Sequence, residues 1–245
     1  MLKKNLRIYL FVCYYVFSFG PLHAGVLFSS NFDNEKVSCW NDINDVWRSN
    51  CGDFYDIGRG DRMQLSSKHS HSGLYSVIQK MKYNEDRGQA YIRLSDPMSH
   101  TKGYEELYVQ MWNYFTGEDG TYDHGTQPKL MRINSSDNKT VAFDVVFHVM
   151  DSDNDRDSES IKVAYNGGPN DWGAAYASWK APDNQWVCFD FHVKLNTPGQ
   201  PDGIVEFWID GKLKAKKYNL DIRGNKEYKI NNVLVGGWYS NSALS

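Results

Sequence analysis

Apolar and polar residues alternate with a period of two along most of this chain, and helical periodicity is scarce. Such runs predict strands over 25–33, 62–66, 74–82, 88–95, 105–115, 128–134, 140–150, 160–165, 186–195, 203–210, 213–218 and 230–238. Turn signals separate them, among them Gly58-Arg59-Gly60-Asp61, Gly117-Glu118-Asp119-Gly120, Asn166-Gly167-Gly168-Pro169 and the Pro/Gly-rich run 197–203. Asp210-Gly211 stands between two such runs and predicts a tight hairpin. No Pro/Ser-rich linker and no internal repeat divides the sequence, so one domain is expected.

The alternation also assigns faces. In 186–195, Val187, Phe189, Phe191, Val193 and Leu195 form an apolar face, opposite Trp186, Cys188, Asp190, His192 and Lys194. In 140–150, Val141, Phe143, Val145, Phe147 and Val149 oppose Asp144 and His148. Strand 105–115 sets Leu107, Val109, Met111 and Phe115 against Tyr108, Gln110, Trp112 and Tyr114; strand 203–210 sets Val205, Phe207 and Ile209 against Glu206, Trp208 and Asp210. Two stacked antiparallel sheets would bury the apolar faces against each other. The opposite faces hold large amphipathic rings instead of plain charges, which suits a binding groove. The expectation is that these four polar faces lie on one sheet, since a one-residue slip would bury Asp144, His148 and Asp190.

The ends and the composition narrow the class. Lys3, Lys4 and Arg7 precede an apolar run over 8–19, and Ala24 offers a small residue before Gly25. This pattern predicts a signal peptide over 1–24, a domain over 25–245, and a secreted or periplasmic protein. No membrane attachment is expected after cleavage, because the apolar run is too short to span a bilayer. Losing three basic residues takes the net charge from −3 to −6 with His neutral, which disfavours nucleic acid. The whole chain has 8 Trp, 16 Tyr and 12 Phe, enough apolar surface for a core. Cys39 and Cys51 could close a short disulfide loop after export, while Cys188, in an apolar strand, reads as a buried free thiol.

At Trp186–Leu213 the chain resembles secreted concanavalin A-like jelly rolls, especially polysaccharide lyase-like ones of the alginate, heparin and glucuronan type. The resemblance rests on a tryptophan strand, a proline/glycine loop and the hairpin around Trp208-Ile209-Asp210-Gly211-Lys212. Glu105–Trp112, Pro128–Ile133 and Leu234–Asn241 fit the same pattern, which covers roughly 25–240. It implies an all-β, two-sheet antiparallel jelly-roll sandwich. Relatives add a further strand after the late Gly-Gly-Trp-Tyr, so the resemblance also implies C-terminal truncation.

Jelly-roll alginate lyases carry an Arg-containing RxEL strand, a QxH strand and a late tyrosine strand. Here Tyr91-Ile92-Arg93-Leu94, Val146-Phe147-His148 and Leu234–Asn241 with Tyr239 take those places. The Gln of the second motif is Val146, the Glu of the first is Arg93, and the late Lys is Val235. β-Elimination of a uronate needs its carboxylate neutralised, a base at C5 and an acid at O4. By resemblance, Arg93, Gln110 or His148 hold the carboxylate and Tyr239 moves the proton. Tyr108, Trp112, Tyr114, Lys129, Asp144, His192 and Trp208 are the expected substrate-binding residues. Trp172 and Trp179, in what reads as a Gly/Trp loop over 166–179, are further stacking candidates. The expected partner is a uronate-containing polysaccharide, engaged by a monomer.

Two other classes fit the same fold. A non-catalytic glycan-binding module would use the same groove without convergent His148, Tyr239 and cation. A retaining glycoside hydrolase needs two carboxylates about 5 Å apart, commonly as ExDxxE. That motif is missing, although Asp144, Asp190 and Glu206 could meet on one face. No cofactor is expected. The acidic stretch Asp151–Glu159 admits a structural calcium but departs from an EF-hand loop at Arg156 and Lys162. Asn134-Ser135-Ser136 and Asn138-Lys139-Thr140 match glycosylation acceptors.

Overall fold

Strands rich in β-branched and aromatic residues pair throughout the computed structural model, which describes residues 6–15, 29–30, 32–33, 48–49, 56–58, 63–81, 89–94, 99–115, 129–137, 140–151, 159–166, 172–179, 182 and 184–236. In chain order the strands are β1 (Leu6–Tyr15), β2 (Ser29–Ser30), β3 (Arg48–Ser49), β4 (Asp56–Gly58), β5 (Met63–Ser66), β6 (Ser76–Met81), β7 (Gln89–Arg93) and β8 (Glu106–Phe115). They continue as β9 (Lys129–Ser136), β10 (Val141–Asp151), β11 (Glu159–Asn166), β12 (Trp172–Ser178), β13 (Gln185–Lys194), β14 (Gly203–Ile209), β15 (Lys212–Leu220) and β16 (Asn232–Val235). Sheet A runs β15-β14-β13-β8-β1-β6-β5, with β2 beside β1, and sheet B runs β12-β11-β10-β9-β16-β7-β4-β3. Every pairing is antiparallel, as the alternation implies.

The expected apolar faces meet between the sheets. Phe189, Phe191 and Phe207 of sheet A and Phe143, Val145 and Phe147 of sheet B belong to one buried cluster. Phe147 and Phe191 cross the gap with ring centroids 4.2 Å apart. Asp210 and Gly211 take φ values of 48° and 72°, the left-handed pair that a two-residue hairpin between β14 and β15 requires. Gly103 matters for a different reason: a Cβ there would lie 2.1 Å from the Ile230 carbonyl oxygen. That close approach lets Tyr104 and Ile230 exchange backbone hydrogen bonds at 2.8 Å and ties the last strand to the start of β8.

Two expectations change. Strands 105–115, 186–195 and 203–210 do share sheet A, but 140–150 lies in sheet B. A single groove combining their four polar faces does not form. Alternation tells which side of a strand is apolar, and it is blind to which of two sheets the strand joins. The run 166–179, read as a loop, contains β12; Ala174, Ala175 and Ala177 give it little apolar contrast, yet it pairs along its length with β11. Leu6–Tyr15, inside the segment expected as a signal peptide, pairs with β6 and β8. An apolar run rich in aromatic and β-branched residues meets the requirements of a central strand as readily as those of a leader.

Cys188 is a free thiol, 6% exposed, as expected. Burial first, then the Asp190 and Asp210 carboxylates, push its pKa up to about 12. The folded state therefore keeps a proton that the unfolded chain releases near the ordinary thiol value of 9.0. This contribution to stability is intact below that value and is lost as pH climbs toward about 12. Peptide mapping after alkylation at pH 8 should find Cys188 unmodified in the folded protein and modified after unfolding. Labelling at equal rates in both states would contradict its burial. Cys39 and Cys51 lie outside the described residues.

Candidate functional site

The outer face of sheet B is built from the residues that alternate with its core positions. Phe143, Val145 and Phe147 point into the core, so Asp144 and Val146 take the other side of β10. By the same alternation Arg132 and Asn134 of β9, and Asn232 and Leu234 of β16, belong to this outer face. It is not a plain solvated surface: Asn134 is 2% exposed, Asp144 6%, Asn232 8% and Leu234 1%. Arg132 Nε donates to both Asp144 oxygens at 3.1 and 2.9 Å, and its Nη2 donates to Oδ2. The amide oxygens of Asn134 and Asn232 are buried and accept no hydrogen bond. Buried acceptors left unpaired cost about 1–3 kcal/mol each.

Strand register brings the chemistry together. His148 of β10 stands opposite Lys162 of β11 and opposite Lys129 of β9, and Lys162 stands opposite Tyr176 of β12. Lys129, His148, Lys162 and Tyr176 thus form one row over four strands, spanning about 14 Å at the usual strand spacing. The row depends on a register shift between Phe147 and His148. Phe147 pairs with Met131 and His148 with Lys129, so Leu130 is skipped and sits buried at 1% exposure. Without this bulge Leu130 would oppose His148; bulges are a common means of moving a functional residue into position. Two rows away along the strands, Arg93 of β7 lies opposite Asn232, which in turn lies opposite Asn134, and Asn134 opposite Asp144.

Among the residues named from the sequence, Arg93, Lys129, Asp144 and His148 therefore share sheet B, and Tyr239 lies outside the described residues. Gln110, Tyr108, Trp112, Tyr114, His192 and Trp208 are in sheet A, across the core. The cause is again that face and sheet are separate properties. Asp144 is also claimed by Arg132, so it is not a member of a hydrolase carboxylate pair with Asp190 or Glu206. Lys162, Tyr176, Asn134, Asn232 and Arg132 escaped the sequence reading. Lys162 and Tyr176 each stand one strand farther from His148, a relation only pairing reveals. Asn134 is buried in β9, so its glycosylation motif is closed in the folded chain. The segment 152–158, which held the calcium reading, lies outside the described residues, and Asp151 pairs with Glu159 at its ends.

On sheet A most expected stacking rings are already covered. His71 stacks on Trp112 at 4.1 Å and His69 on Tyr114 at 4.4 Å, both from the turn between β5 and β6. Burial lowers the pKa of His71. His192, 4% exposed, stacks on Tyr108 at 4.0 Å, and its ring nitrogens lie 2.8 Å from Glu106 and Glu206. Trp179 packs edge-on against Phe189 at 5.5 Å as part of the core, not as an exposed platform.

Comparison with known proteins gives the same picture of the fold. Residues 140–242 match the family model described as Polysaccharide lyase 14. The crystal structure of the marine PL-14 alginate lyase from Aplysia kurodai superposes with a TM-score of 0.52 at 15% identity, covering 77% of this chain and 82% of that one. The alginate lyase Aly36B gives 0.56 at 14% identity, covering 82% and 85%. A double variant of Aly36B in complex with alginate tetrasaccharide gives 0.52 at 12% identity, covering 74% and 75%. No curated protein sequence matches the chain. The chain thus has the two-sheet jelly-roll β-sandwich fold of these structures.

Proposed function

We propose that this chain is a polysaccharide lyase that cleaves a uronate-containing polysaccharide by β-elimination on the outer face of sheet B. The observation that carries the reading is the row Lys129–His148–Lys162–Tyr176. The two cations in the row supply the charge that neutralises a uronate carboxylate and acidifies the C5 proton. His148 and Tyr176 are the groups in the row able to accept that proton and to return one to the leaving O4. Cationic neighbours favour the phenolate form that a tyrosine base needs. The Arg132–Asp144 pair joins β9 to β10 beside the row and holds those two strands in register.

The polysaccharide lyase match over 140–242 supports this reading, since β10, β11, β12 and β16 lie within it. The alginate lyases of similar fold point to the same substrate class. The basic start and apolar run of residues 1–24 support export of the chain. The site does not depend on that segment, because β1 pairs only with β2, β6 and β8 in the other sheet.

The test is to express the full chain and assay the culture medium against a panel of alginate, glucuronan and other uronate polysaccharides. Ultraviolet absorbance from the new C4–C5 double bond should rise with at least one of them, and the intact mass of the active protein should lack residues 1–24. Binding of a uronate polymer with no unsaturated product would replace the lyase by a glycan-binding module. Activity confined to the cells, on a chain of full mass, would remove the export reading alone.

A further inference from the structure

Across the core from the lyase row, the outer face of sheet A has a depression of its own, about 390 Å³ in volume. Its walls are Tyr108, Gln110, Asp190, Trp208 and Gly211, over a floor at Val109 and Phe191. Register explains why these side chains meet: Gln110 stands opposite Asp190, and Asp190 opposite Trp208, in one row over β8, β13 and β14. The Asp210-Gly211 turn closes one end. Unlike Trp112, Tyr114 and Tyr108, each stacked by a histidine, Trp208 has no ring stacked on it among the described residues. An indole face is therefore open beside two polar groups.

Those groups are arranged for hydroxyls. Asp190 Oδ1 accepts a hydrogen bond from Gln110 Nε2 at 2.8 Å, which fixes both side chains. Among the described residues, Asp190 Oδ2 meets only the weak Cys188 thiol donor, at 3.8 Å. A carboxylate oxygen held in this way accepts strongly, and the Gln110 amide oxygen is a second acceptor beside it. Tyr108 remains a neutral phenol at ordinary pH: burial, then Glu106 and Glu206, push its pKa up to about 12. The surrounding charge selects among ligands. Lys194 stands opposite Glu106 and Lys216 opposite Glu206, and His192 is shared by the two glutamates, so the charge beside the depression itself is that of Asp190 and Asp210. The Asp190 carboxylate in the wall disfavours a uronate carboxylate in the depression, whereas a neutral sugar ring meets no such penalty.

We propose that this depression is a second carbohydrate site, which takes a neutral pyranose unit stacked on Trp208 with neighbouring hydroxyls donating to Asp190 and Gln110. The site is independent of the lyase reading, since it uses other strands and the opposite sheet. In a wall or matrix of mixed composition it would hold the protein on neutral glycan while sheet B works on the acidic one.

The experiment titrates the wild-type protein with cello-, manno- and malto-hexaose, following the Trp208 indole N–H signal by NMR and affinity by calorimetry. At least one should shift that signal, with millimolar or tighter affinity. Trp208→Ala and Asp190→Ala should each weaken binding tenfold or more, while Lys129→Ala leaves it unchanged. Turnover of uronate polymer, if present, should be the same in Trp208→Ala and wild type. The assignment is overturned if none of the three oligosaccharides moves the Trp208 signal. It is equally overturned if both variants bind like the wild type, or if Lys129→Ala abolishes binding. Because the NMR readout uses unaltered protein, poor folding of either variant does not protect the proposal. Failure of the lyase assay leaves this result untouched, so the two readings fail separately.

Discussion

Lys129→Ala is expected to lower kcat on the uronate substrate by about 10²–10³-fold, the usual effect of removing one preorganised charge from a transition state. Lys129 is the first residue of β9, and the bulge at Leu130 is what sets it opposite His148. A cation in that place stabilises charge that builds on the carboxylate as C5 loses its proton, so the loss should fall on kcat more than on KM. His148→Ala should produce a deficit of similar or greater size, since proton transfer by a positioned group contributes about 10²–10⁴-fold. Lys217→Ala supplies the control: Lys217 is exposed on β15, at the far edge of the other sheet. Initial rates from double-bond absorbance, with circular dichroism to verify folding, decide the matter. Equal losses in Lys129→Ala and Lys217→Ala would reduce the effect to general charge, and an unimpaired Lys129→Ala would remove the row as the active site.

Phe191→Ala should be the most destabilising single truncation in the core, costing about 3–5 kcal/mol. Phe191 is 0% exposed and touches rings on both sides of the sandwich. Its centroid lies 4.2 Å from Phe147 in sheet B and 5.0 Å from Phe207 in sheet A. Removing the ring deletes the transfer energy of a large apolar group and leaves a cavity where the sheets are closest. The rest of the core cannot fill that cavity without moving a whole sheet. In a chain of this size the melting temperature should drop by about 6–20 °C, and the denaturant midpoint should fall with little change in slope. A loss under about 1 kcal/mol would mean that the sheets close up around the vacancy, contrary to the rigid interdigitation described above.

The reach of the sequence can be judged element by element. Strand 105–115 shows its inner residues Leu107, Val109 and Met111 plainly, because an apolar residue at every second position can be buried only in extended backbone. Asp210-Gly211 marks its hairpin because those residue types adopt positive φ at low cost. Cys188 reads correctly as a buried thiol from its apolar neighbours. Strand β12 was hidden, since alanine and glycine neither alternate in polarity nor favour a strand, and only the edge of β11 recruits them. Leu6–Tyr15 carries a pattern that a leader and a central strand both satisfy.

The candidate site divides along the same line. Arg93, Lys129, Asp144 and His148 are recognisable from residue type and strand position, and sequence-level reasoning also found Trp208 and Asp190 as members of a polar, aromatic face. Which of these belong together was decided by pairing between strands far apart in the chain. Lys129 meets His148 because β9 pairs with β10 and Leu130 bulges; Gln110 meets Asp190 across 80 positions because β8 pairs with β13. Period-two patterning is a property of each strand alone, so the sequence by itself determined the strands, their inner faces and the all-β class. Sheet membership and lateral register depend on how loops return the chain and on which edges remain open. Only the tertiary structure therefore separated one expected groove into a cationic row on sheet B and an acidic, aromatic depression on sheet A.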